Sequence, residues 1–162
     1  TSVLYNIDKK IIKEEIEKFS HAKRRFSEEV IGDNVVIDDY AHHPTEIRVT
    51  YDSAKAKYPD KEIIAIFLPN TYSRTKALES DFIKSLSLYD KAYLMDIKCD
   101  RERPEDYPNV SSLNLTKKIN NSEMISIDTA DKLLEYHNTV FCFMSCANIS
   151  PMINKVKELL KK

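Results

Sequence analysis

Apolar and polar positions along the chain follow two periods, and the switches between them outline the elements. Residues 7–19, IDKKIIKEEIEKF, put Ile11, Ile12, Ile16 and Phe19 on one face with charges opposite, which predicts a short helix capped by Asp8. Residues 23–40, KRRFSEEVIGDNVVIDDY, read as a hairpin whose two β-rich arms flank the turn signal GDN. The second arm, VVIDDY, reads as a buried strand. From residue 44 the period becomes helical: Ile47, Tyr51, Ala54 and Tyr58 recur, Pro44 suits a first turn, and YPDK ends the run. EIIAIFL (62–68) is a second apolar strand, followed by a helix over 75–89 with Leu78, Phe82, Leu86 and Tyr89 in register. KAYLMDI (91–97) predicts a third strand, and CDRERPEDYPN (99–109) a charged, solvated loop. A helix near 112–120, a strand MISI (124–127), a helix over 129–137 and a strand TVFCFM (139–144) come next. The last helix carries Ile149, Ile153, Val156 and Leu160 on one stripe.

Strands that alternate with helices and are apolar on both faces predict an α/β fold. The expectation is a Rossmann-like, mainly parallel sheet flanked by helices, with an N-terminal helix and a β-hairpin. Residues 1–162 read as a single domain with no internal repeat.

Composition narrows the function classes. The net charge of −1 gives no whole-molecule field for nucleic acid or a membrane surface. No apolar run approaches the roughly 18 residues that span a bilayer, and TSVLYNIDKK is not a signal peptide. The three cysteines, Cys99, Cys142 and Cys146, form no regular framework, so a reducing, cytoplasmic setting is expected. Cys142 and Cys146 are spaced like a metal pair, but Cys142 sits inside an apolar run and reads as core. The chain holds a single glycine, Gly32. A glycine-rich phosphate loop therefore cannot be built here, and any nucleotide must be held mostly by another domain.

In open α/β sheets, ligands bind outside the carboxyl ends of the strands. Two such ends carry unusual chemistry. DDYAHHPTE follows the strand at 35–40: Asp39 suits ribose hydroxyls or the orientation of an imidazole, and His42 and His43 suit a phosphate or carboxylate. The helix starting at Pro44 adds its positive end. The same residues also suit a plain structural role, with Asp38 or His43 as the helix cap. No third ligand is spaced for a metal. LPNTYSRT follows the strand at 62–68, and Arg74 stands where a helix dipole gives no reason for a cation. A bidentate anionic partner or a surface ion pair would each explain it. KRR (23–25) reads as a solvated strand start.

With these motifs in hand, RRFSEEVIGDNVVIDDYAHHPTEIRVTYDSAKAKYP and FLPNTYSRTKALESDF resemble the C-terminal domain of the Mur ligases, strongly over 24–82 and weakly after 98. YSRT favours the alanine-adding branch over the tripeptide-recycling branch that shares AHHPT. The resemblance implies part of an ATP-dependent amide ligase of bacterial peptidoglycan synthesis, inactive alone. ATP phosphorylates the carboxylate of UDP-N-acetylmuramic acid, and the amine of L-alanine attacks the acyl phosphate. ATP and Mg2+ are held mainly by a central domain and the UDP-sugar by an N-terminal domain, both expected outside this chain. By the same resemblance, Asp39, His42 and His43 face the nucleotide, and His42 approaches the γ-phosphate and the reacting carboxylate as the catalytic group. Arg74 pairs with the alanine carboxylate, and Tyr40 and Asn70 shape its pocket. Two departures stand out: Asn70 replaces a family histidine, and Ser145-Cys146-Ala147 replaces a glycine-containing turn. They motivate two alternatives: a divergent non-catalytic Rossmann-like binding module, and the tripeptide-recycling sibling.

Overall fold

The structure is a computed structural model that describes Asp8, Ile11 and residues 24–162. The helix expected over 7–19 falls, apart from those two positions, outside the described residues. The hairpin forms as expected. Strands β1 (Ser27–Ile31) and β2 (Asn34–Asp39) pair antiparallel with Ile31 opposite Asn34. The connection is therefore two residues, and Gly32 takes φ +62 there, a left-handed conformation that costs glycine nothing.

Then follow α1 (Pro44–Lys57), β3 (Glu62–Phe67), α2 (Tyr72–Ala77), α3 (Glu79–Leu86), β4 (Lys91–Leu94), α4 (Ser112–Thr116), β5 (Ser122–Met124), β6 (Thr139–Met144) and α5 (Ser150–Leu160). Two 3-10 segments, Pro104–Asp106 and Ile127–Glu135, complete the set among the described residues. The strands form one six-stranded sheet in the order β1-β2-β6-β3-β4-β5, parallel from β2 onward.

The pleat divides the core in two. Val35, Ile37, Ile63, Ala65, Val140 and Cys142 face one layer with Ile47 and Ala54 of α1 and Phe82 and Leu86 of α3. Val36, Ile64, Ile66, Phe141 and Phe143 face the other, with Leu133 of the second 3-10 segment and Met152, Ile153 and Val156 of α5. Strands buried on both faces are why these runs are continuously apolar rather than alternating.

Five elements differ from the periodic reading. The strand expected over 124–127 is β5 at Ser122–Met124, and the helix expected near 112–120 ends at Thr116. The helix expected over 75–89 is two helices, broken at Leu78 (φ −112, ψ 18), which ends α2 and precedes α3. Caps from Thr71 and Glu102 start α2 at Tyr72, before the apolar stripe begins. The helix expected from Thr129 is 3-10 over Ile127–Glu135, and its buried Ala130 and Leu133 sit three apart, the repeat of that helix. The third strand ends at Leu94 rather than at 97, with an isolated bridge between Asn70 and Lys98 beyond it.

Candidate active site

The order β2-β6-β3 decides which loops meet. The chain leaves β2 through α1 and β3 through α2, on one side of the sheet, whereas β6 lies between these strands and continues into α5 on the other side. A crevice therefore opens at the carboxyl ends, the usual ligand position in such sheets. Three loops border it: 40–43 after β2, 68–71 after β3 and 145–149 after β6.

At the first loop, Asp39 turns its carboxylate back on its own backbone and on α1. Oδ1 accepts from Ala41 N–H at 3.1 Å and Oδ2 from Thr50 Oγ1 at 3.0 Å. His43 is the N-cap of α1: its Nδ1 accepts from Thr45 N–H at 3.3 Å. Glu46 answers by accepting from the N–H groups of His42 (2.9 Å) and His43 (3.0 Å). Burial pushes the Glu46 carboxyl up, but those two N–H donors and the two imidazoles outweigh it, and the group lies below the usual carboxylate range. Asp38 is not a cap; it pairs with Arg24.

His42 is held differently. Its Nδ1 lies 2.9 Å from the Tyr40 carbonyl and 3.3 Å from Glu46 Oε2. Both neighbours only accept, so Nδ1 carries the proton, and Nε2 is left to accept or, once protonated, to donate to an anion. The Tyr40 ring, 42% exposed, meets the His42 ring edge to face at 5.4 Å. Asp39, Tyr40, His42, Glu46 and Thr50 line part of a cleft of about 340 Å3.

At the second loop, Arg74 reaches toward the third: its Nη1 lies 3.8 Å from Cys146 Sγ. Among the described residues, no ion pair includes Arg74. A half-buried guanidinium turned to a neighbouring strand end, with no carboxylate of its own among the described residues, is suited to an incoming anion. Thr71, at φ +70, caps α2 just before it; a β-branched residue in that region is strained, as residues at functional sites often are. Asn70 donates its side-chain amide to the Lys98 carbonyl at 2.8 Å, so that group is used to hold the β4 exit loop.

Sequence reasoning missed two residues. Arg24 is not a solvated strand start. Its Nη2 donates to the carbonyls of Ser145 (2.7 Å) and Ala147 (2.9 Å), its Nε to Asp38 (3.3 Å), and the guanidinium lies 5.5 Å from the Tyr40 ring centre. It thus ties the first loop to the third. The positive φ of Arg24 and Phe26, +64 and +51, was the hidden cost of that placement. The other is Glu102, from the loop expected to be solvated. Its Oε2 accepts from Tyr72 N–H (2.6 Å) and Ser73 N–H (3.0 Å), and its Oε1 from the Ser73 hydroxyl. Among the described residues, no group of three His, Cys, Asp or Glu side chains is placed to hold a metal ion, and no helix is long and apolar enough to cross a membrane.

Fold and crevice together define a doubly wound α/β domain that presents histidines and, among the described residues, an arginine without an ion pair at the carboxyl edge of its sheet. Residues 24–140 match the Mur ligase, glutamate ligase domain family, and the chain belongs to that family. It is 49% identical over 150 residues to a UDP-N-acetylmuramate–L-alanine ligase of Limosilactobacillus reuteri, covering 93% of this chain and 34% of the relative. It is 43% identical over 160 residues to the ligase of the same name from Ligilactobacillus salivarius, covering 98% of this chain and 36% of the relative. The chain thus spans about a third of the length of the curated relatives it matches. Among solved structures it resembles the UDP-N-acetylmuramate-alanine ligase of Thermotoga maritima, with a TM-score of 0.72 at 24% identity over 98% of this chain and 35% of that one. A murein peptide ligase of Psychrobacter arcticus superposes with a TM-score of 0.68 at 23% identity over 89% of this chain and 31% of that one.

Proposed function

We propose that this chain is the amino-acid-binding domain of a ligase that joins L-alanine to UDP-N-acetylmuramic acid at the expense of ATP. One observation carries the reading: Arg74 is set against Cys146 of the neighbouring strand end, with no ion-pair partner among the described residues. The identity of 49% to a ligase of that name supports the choice of substrates. Arg74 pairs with the alanine carboxylate in this reading, which leaves the amine free to attack. Tyr40 shapes the pocket wall. Asn70 contributes by anchoring, through the Lys98 carbonyl, the loop that leads into the helix carrying Arg74, rather than by carrying charge.

His42, with Nδ1 protonated, offers Nε2 to the γ-phosphate or to the carboxylate being activated. The γ-phosphoryl group passes to that carboxylate, the alanine nitrogen displaces phosphate from the acyl phosphate, and an amide results. Asp39 and His43 face the nucleotide through the loop they hold in shape, with His43 fixing the start of α1. The phosphates and Mg2+ fall to a central domain and the UDP-sugar to an N-terminal one, neither of which is part of residues 1–162. Closure of this domain over the others excludes water from an acyl phosphate that would otherwise hydrolyse.

The test is an amide-forming assay of the full-length protein that carries this chain, given ATP, UDP-N-acetylmuramic acid and a choice of alanine, glycine, serine or murein tripeptide. Alanine-dependent release of phosphate with formation of the alanyl product is expected. Preference for tripeptide would reassign the chain to the recycling branch. Absence of any ligation would favour a binding module that kept the fold without the chemistry, the reading that Asn70, committed to Lys98, makes worth testing.

A further inference from the structure

The helix that carries Arg74 has no acidic residue in its own first turn. Its exposed N–H groups are satisfied by Glu102, which lies 29 positions from Ser73, in the loop after β4. One carboxylate accepts three donors there, the N–H groups of Tyr72 and Ser73 and the Ser73 hydroxyl. The Ser73 hydroxyl, with the N–H groups of Ser73 and Tyr72 and the Cys99 thiol, holds the Glu102 carboxyl below the usual range, against the opposing effect of desolvation. The same loop adds a second hold: the rings of Tyr107 and Tyr72 stack at 5.9 Å, 17° from parallel. α2 has only six residues, too few to keep its direction without such anchors.

We infer that Glu102 is a positioning residue that fixes α2 and so aims the Arg74 guanidinium for the amino-acid carboxylate. The inference rests on the role proposed for Arg74 and deepens it. Glu102 holds the first turn of the helix, and Arg74 follows one residue after Ser73. Its carboxylate serves the cap and forms no ion pair with the Arg74 guanidinium, which is turned to Cys146.

Hydrogen–deuterium exchange and steady-state kinetics of the full-length protein test this with two variants. In Glu102→Ala, amide exchange across residues 71–77 speeds up about tenfold, the size expected of a lost cap. KM for alanine rises about tenfold and KM for ATP stays within twofold. Glu102→Gln, which keeps acceptor atoms but not the charge, falls between Glu102→Ala and the unchanged protein on both readouts. Unchanged exchange in Glu102→Ala overturns the clamp. Faster exchange with an unmoved KM for alanine overturns the link to Arg74. If the unchanged protein shows no alanine-dependent turnover, the proposed function and the substrate half of this inference fall together, while exchange across 71–77 still decides whether the clamp exists.

Discussion

Arg24 and Arg74 divide the work at the crevice. Arg24 spends its donors on protein: two carbonyls of the loop after β6 and one carboxylate. Hydrogen bonds from a charged donor contribute about 1.5–3 kcal/mol, and their loss leaves carbonyls unpaired. Arg24→Ala should therefore lower stability by about 2 kcal/mol in urea unfolding, and Arg24→Lys should recover little, because an ammonium lacks the planar fork that gives Nη2 to the Ser145 and Ala147 carbonyls while Nε reaches Asp38. The cysteines give a chemical check on the core. Burial pushes the Cys142 thiol far up, and the nearby Asp39 carboxylate adds to this. With the thiolate suppressed and the sulfur fully buried, Cys142 should resist maleimide at pH 8 until the protein is unfolded, whereas the half-buried Cys99 and Cys146 label in the native state. The placement of Asp39, His42 and Arg74 at or just after strand ends could be read from the sequence, because an apolar run that stops at polar groups marks a strand-end loop. The role of Arg24 could not, because its carbonyl partners lie 121 and 123 positions away and no local pattern records them.

Among the elements, those whose periodicity reflects burial on a regular surface came out as read. The hairpin, α1, β3, β6 and α5 each repeat an apolar spacing that the sheet layers use directly. Of the elements that differ, α2 is set by capping from elsewhere: it begins at Tyr72 because Thr71 and Glu102 supply acceptors there. The loop at 99–109 is charged, as a solvated excursion would be, yet Glu102 and Tyr107 both dock on α2. Composition alone could not separate a carboxylate facing water from one facing a helix start. The hairpin turn offers a clean test of backbone conformation. A Cβ built on Gly32 meets nothing within 4 Å, so no clash opposes a side chain. Gly32→Ala should still destabilise by about 1 kcal/mol, measured by urea unfolding, because alanine pays for φ +62. Gly32→Asn should cost less, since asparagine tolerates that region.

At the scale of the molecule, the position of β6 is what makes a site. Had β2 and β3 been neighbours, their loops would follow helices on one side of the sheet only; with β6 between them, a loop running to the opposite layer completes the crevice. Strand order was beyond the sequence, since parallel pairing joins strands far apart in the chain, as Val36 and Phe141 are joined here. The chain covers about a third of its curated relatives and contains one glycine. Both facts suit the proposed function, in which this domain meets a nucleotide held by others. Residues 1–162 alone should accordingly show no ATP hydrolysis above a protein-free blank in a phosphate-release assay. The most direct measurement is the KM for L-alanine of the full-length protein carrying Arg74→Ala. A charged hydrogen bond of about 1.5–3 kcal/mol predicts a rise of roughly 10- to 150-fold, with KM for ATP unmoved. A KM for alanine within twofold of the unchanged protein would contradict the assignment of Arg74, and with it the account of this crevice as an amino-acid site.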